Sequence, residues 1–163
     1  MKIKPTTLTT KILKTVINTK PQAYAMIKGQ DKIEGTICFY SYLKGTILLY
    51  EINHLPKSTS CHSGIFGFHI HEGHTCLNDT DIPYKKTKNH YNPNHCHHPY
   101  HLGDLPPVFA NNGIAWSMVY IDKFSIKDII GRTIVIHANA DDFHTQPSGH
   151  SGKKIACGEI KKF

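Results

Sequence analysis

The sequence predicts an all-β fold, a Greek-key β-barrel or sandwich of about eight antiparallel strands joined by long loops. Apolar residues recur with a period of two rather than 3.6. Segments rich in β-branched and aromatic residues stand at short intervals between turn residues. No stretch of the 163 residues reads as a convincing amphipathic helix.

Each element follows in chain order. Residues 1–20, MKIKPTTLTTKILKTVINTK, are basic and threonine-rich and read as a flexible leader, with 21–163 as the one domain. The leader lacks a continuous apolar run and a small-residue cleavage site, so a cytoplasmic location is expected unless an export sequence has been removed. Residues 23–27, 33–40 and 46–52, separated by GQD and LKG, read as an antiparallel meander. Further strands are expected at 65–71, 115–121, 133–138 and 155–161, with one short helical turn at 125–130. Residues 72–104 form a polar, Pro- and His-rich connection, too long to be a plain loop and therefore expected to be functional.

Charge and composition remove several classes of function. Nineteen Lys and Arg against 12 Asp and Glu give a net charge of +7, which attracts anions. The lysines are scattered, Arg132 is the only arginine, and no aromatic RNA-binding pattern is present, so nucleic acid is not the expected partner. No apolar run approaches the roughly 20 residues that span a bilayer, so a membrane is not expected either. The anomaly is histidine: nine of 13 lie between His62 and His101.

The stretch GFHIHEGHTC, 67–76, carries the first cluster. On a strand, Phe68 and Ile70 face the core while His69 and His71 share the outer face, a chelating pair. A zinc-protease helix is excluded, because the second histidine of its motif would fall at Thr75. KNHYNPNHCHHPYHLGD, 88–104, offers His90, His95, His97, His98, His101 and Asp104, a nitrogen and oxygen set suited to zinc or copper. In IIGRTIVIHANADD, His137 ends a strand whose Ile134 and Ile136 face inward, which puts it on the same exterior as the first pair.

GFHIHE, NHYNP, HLGDLPPVFANNG, GRTIVIHANADD and KIACGEI together resemble, in order, the signatures of copper,zinc superoxide dismutases, closer to the bacterial branch. The resemblance runs from about residue 23 to 160. It implies a Greek-key barrel with long metal-binding and electrostatic loops, converting superoxide to oxygen and hydrogen peroxide by copper redox cycling with structural zinc. It implies copper on His69, His71, His90 and His137, and zinc on His90, His98, His101 and Asp104. It further implies that His90 bridges the metals and acts in catalysis, and that Asp141 links a copper histidine to a zinc histidine. Cys76 and Cys157 match the family disulfide. The implied partners are the superoxide anion and a copper donor, and the implied assembly is a monomer or homodimer.

Two departures from the family pattern stand out. Only Pro99 and Tyr100 separate His98 from His101, so His95 or His97 could take the place of His98. Lys154 stands where the family places a guiding arginine, keeping the cation but not the forked guanidinium. Of the remaining cysteines, Cys38 reads as a buried free thiol, and Cys61 and Cys96 could form a second disulfide. A copper-storing module and a zinc-only relative are the rival readings; the complete copper set favours the enzyme.

Overall fold

The computed structural model describes residues 6–57, 59, 64–78 and 81–163. Strands β1 (Ala23–Gly29), β2 (Glu34–Tyr42) and β3 (Gly45–Asn53) form the expected meander. In β1, Ala23, Ala25 and Ile27 are buried while Met26 and Lys28 are exposed, the period-two pattern of a strand with one face in the core. The expected strand at 65–71 is two, β4 (Ile65–Phe66) and β5 (Phe68–His71). Gly67 separates them for a tertiary reason. Its amide donates to the Asn139 carbonyl at 2.7 Å, and a Cβ there would meet the Ser151 Cβ at 2.8 Å.

A short strand absent from the sequence reading, β6 (Val108–Phe109), precedes β7 (Ala115–Ile121). Helix α2 (Ile126–Ile129) lies within the expected turn, and the Asp128 carboxylate accepts from both the Ser125 amide and hydroxyl at 2.8 Å. β8 (Thr133–His137) and β9 (Lys154–Lys162) complete a seven-stranded antiparallel sheet ordered β5-β8-β9-β1-β2-β3-β7. The β3–β7, β5–β8 and β9–β1 neighbours are not consecutive in sequence, which is the Greek-key pattern. The β4–β6 pair joins the two sheet edges, since β4 runs into β5 and β6 leads to β7. Inside lie Ile27, Phe39, Leu48, Ile52, Phe68, Ile70, Ile134, Ile136 and Ile160, all at most 1% exposed.

Where the sequence reads a leader, the structure has a helix, α1 (Thr7–Asn18). The Thr6 hydroxyl accepts the Thr9 amide as its cap, and no residue of α1 is buried. No helix among the described residues is long and apolar enough to cross a membrane.

Candidate metal centre

All four β5 side chains are buried, although only Phe68 and Ile70 point into the barrel. His69 and His71 face outward as expected, yet are 0% and 1% exposed, because the loops at 72–107 and 138–153 cover them. The first loop does so by pairing with the free edge of β5. The Glu72 amide donates to the Asn89 carbonyl and the Tyr91 amide to the Ile70 carbonyl. Farther along, the Ile70 amide donates to the Gly103 carbonyl and the Leu105 amide to the Phe68 carbonyl. That edge pairing sets His90 beside His71 and Asp104 beside His69. On the other side, β8 pairs with β5, and a register shift between Ile136 and His137 turns the last residue over the same surface.

Ligand-type atoms of His69, His71, His90 and His137 lie within 4.8 Å of one another, as do those of His90, His98, His101 and Asp104. His90 belongs to both groups. The hydrogen bonds fix which nitrogens are free. His71 Nδ1 donates to the Lys88 carbonyl at 3.0 Å and His137 Nδ1 to the Gly152 carbonyl at 3.2 Å, since a carbonyl can only accept. Each ring therefore keeps a lone pair on Nε2, and these two atoms stand 3.2 Å apart. Two lone pairs at that separation repel unless a cation lies between them. His69 Nδ1, His90 Nε2, His98 Nδ1 and His101 Nδ1 are buried with no hydrogen-bond partner, a costly state for polar atoms that a metal would relieve.

Asp141 orients a ring in each group. One carboxylate oxygen accepts His69 Nε2–H at 2.7 Å and the other accepts His98 Nε2–H at 2.9 Å, leaving both Nδ1 atoms as lone pairs. Gly149, at φ +65, leaves the space that Asp141 fills. In the second group Asp104 accepts from His90 Nδ1 at 2.7 Å, and its other oxygen lies 3.1 Å from His98 Nδ1 and 3.2 Å from His101 Nδ1.

The electrostatics suit cations. Burial pushes His69 down to about 4, against the pull of Asp141, and pushes His137 down to about 3. Burial also lowers His71 and His101. Burial works to raise Asp104 and Asp141, but hydrogen bonds from His90 and His69 respectively outweigh it; Asp141 falls to about 2. His69, His71, His101 and His137 are thus neutral donors and the carboxylates ionised, the protonation states that metals require. An all-imidazole group suits copper, and a three-His, one-Asp group suits zinc.

The structure brings His98 into the second group, buried, while His95 and His97 are exposed. Lys154 Nζ donates to Thr87 Oγ1 at 2.7 Å and to the Lys88 carbonyl at 2.8 Å, and it lines the same cavity as His71, His90 and His137. Burial lowers it to about 8. Cys76 and Cys157 form a disulfide between the loop after β5 and β9. Cys38 is a free thiol but only half-buried, because it lies in β2 on the face opposite the core residues Ile37 and Phe39. The Cys61–Cys96 pairing involves Cys61, which lies outside the described residues.

Several supports carried no signal in the sequence. Gln146 clamps the His98 backbone, accepting its amide at 2.9 Å and donating to its carbonyl at 2.8 Å. Thr87, Lys88 and Gly152 act largely through backbone or single hydroxyl contacts that any polar loop offers.

The copper/zinc superoxide dismutase (SODC) family model matches residues 33–160. The chain is 31% identical to the Cu-Zn superoxide dismutase of Photobacterium leiognathi, over 72% of this chain and 78% of that one. It is 32% identical to that of Deinococcus radiodurans, over 78% and 76%. Its fold superposes on a double mutant of a SOD-like protein from Bacillus subtilis with a TM-score of 0.73 and 26% identity, covering 85% of this chain and 96% of that one. Two histidine groups sharing one residue, on a Greek-key barrel that this family model spans, place the chain in the copper/zinc superoxide dismutase family.

Proposed function

We propose that the chain is a superoxide dismutase, disproportionating two superoxide ions and two protons into oxygen and hydrogen peroxide. His69, His71, His90 and His137 would hold copper, and His90, His98, His101 and Asp104 would hold zinc. The observation that carries this reading is the pair of facing Nε2 lone pairs on His71 and His137, 3.2 Å apart beside the unpartnered nitrogens of His69 and His90. Bound copper supplies one-electron chemistry by alternating between Cu(II) and Cu(I), while bound zinc is redox-silent.

The residues divide the remaining work. Lys154, half-buried at the cavity wall, draws the anion in and holds it as a point charge. His90, with Nε2 buried beside the first group and Nδ1 against Asp104, would hold a proton at Nε2 and give it up to superoxide; a histidine suits this role because each ring nitrogen can serve separately. Asp141 holds the His69 and His98 rings with both Nδ1 atoms free. The catalytic domain is residues 21–163, acting as a monomer or a homodimer and receiving copper from a donor. Metal analysis and a superoxide-consumption assay on one purified sample test this. About one copper and one zinc per chain, with activity lost on copper removal, are expected from the two groups. Activity that persists without copper would refute it.

A further inference from the structure

The cavity above the first histidine group has a lip that the proposed chemistry does not use. His71, His90 and His137 form its buried floor, whereas His95 and Cys96 line it from an exposed turn. That turn has a fixed backbone. Asn92 accepts the Cys96 amide at 3.0 Å and donates to the Cys96 carbonyl at 2.8 Å, and its own carbonyl accepts the His95 amide at 3.2 Å. The side chains are left to solvent. Cys96 is a free, exposed thiol, and its sulfur donates to the Asn94 carbonyl at 3.9 Å. Below it, His90 is 5% exposed, with Nε2 buried and unpartnered.

We propose that His95 and Cys96 form a capture site for copper(I) at the mouth of this cavity, from which the ion passes to the histidines beneath. The proposal rests on the reading of that floor as the copper site. Its chemistry follows from the donors: a thiolate and an imidazole suit soft copper(I), whereas the floor offers imidazoles alone. On capture the Cys96 thiol releases its proton to solvent, and on transfer the sulfur takes one back. Copper remains copper(I) throughout, so no oxidant or reductant is required. The floor holds the ion more firmly because three imidazole nitrogens, those of His69, His71 and His137, are already buried and oriented there, so copper moves inward. His97 neighbours the pair but does not line the cavity, and takes no part.

The test uses zinc-loaded, copper-free full chain mixed anaerobically with the copper(I)–bicinchoninate complex, with uptake followed as loss of the complex's absorbance. Cys96→Ser and His95→Ala should each slow uptake by about tenfold while final copper content stays at the wild-type value. His97→Ala should load at the wild-type rate. In His137→Ala, whose floor is crippled, one equivalent of copper(I) should protect Cys96 from iodoacetamide, read by mass spectrometry of its peptide. Equal uptake rates for wild type and Cys96→Ser would overturn the capture site, as would a Cys96 already disulfide-bonded in the purified protein. Failure of the wild-type chain to retain copper at all would instead overturn the copper assignment of the floor, and the capture site with it.

Discussion

At the scale of the residue, the Asp141 carboxylate is the contact on which both groups depend, because it accepts a ring proton from each. Asp141→Asn presents an amide N–H to one of those ring N–H groups, so the ring must turn or change tautomer. Metal affinity should fall by roughly 10- to 100-fold, measured by equilibrium dialysis with metal analysis; unchanged affinity at both sites would show that the bridge is incidental. Protonation gives a second prediction. In an unfolded chain both imidazoles titrate at about 6.5, whereas in the fold His69 lies at about 4 and His137 at about 3. Below about 6.5 the unfolded chain therefore binds protons that the folded chain refuses, so folding loses stability as pH falls. The melting temperature of the metal-free protein should drop steadily from pH 7 to pH 4; a flat profile would contradict the burial of neutral histidines. The sequence left His95, His97 and His98 unresolved because three imidazoles within four positions are chemically equivalent. Burial and the Gln146 clamp, which is 48 residues away, single out His98.

Among the elements, the strands were legible and the layer over them was not. Alternation placed β1, β2, β3, β7, β8 and β9 to within a few residues, because a half-buried strand writes its pattern locally. The break at Gly67 was invisible, since it depends on the approach of Asn139 and Ser151 from a distant loop. Helix α1 was missed because threonines obscured Leu8, Ile12 and Val16, spaced four apart behind a Thr6 cap. The long loop was legible as a polar, Pro- and His-rich functional connection carrying candidate ligands; that it clasps β5 through backbone hydrogen bonds leaves no trace in side-chain pattern. The Cys76–Cys157 disulfide ties that loop to β9 across 81 residues of sequence. Replacing both cysteines with serine should lower folding stability by about 2–5 kcal/mol and also weaken metal binding, because the tied loop carries His90, His98, His101 and Asp104. Denaturant titration and metal dialysis on the same variant check this. Stability lost without any change in metal affinity would show that the loop holds its shape by backbone pairing alone.

For the molecule as a whole, a net charge of +7 and a lysine set in the cavity wall should attract a small anion. Turnover should fall as ionic strength rises, because screening shortens the reach of these charges. Lys154→Ala should lower both the rate and its salt dependence, Lys154→Glu should lower the rate further, and Lys154→Arg should keep or raise it. With Lys154 at about 8, its cation is present at neutral pH and lost as pH rises through that value, so the rate should decline above about pH 8. Equal rates and salt slopes for wild type, Ala and Glu would place the guide elsewhere. The facing nitrogens of His71 and His137 are central to the proposed copper site, and they lie outside the barrel core and can be removed without opening it. Superoxide decay should therefore be followed by pulse radiolysis with the copper- and zinc-loaded chain and with His71→Ala treated identically, with circular dichroism confirming the fold. Catalytic decay proportional to the loaded wild-type protein is expected, with nearly all of it lost in the variant at unchanged fold. Full activity in His71→Ala, or none in the loaded wild type, would contradict it.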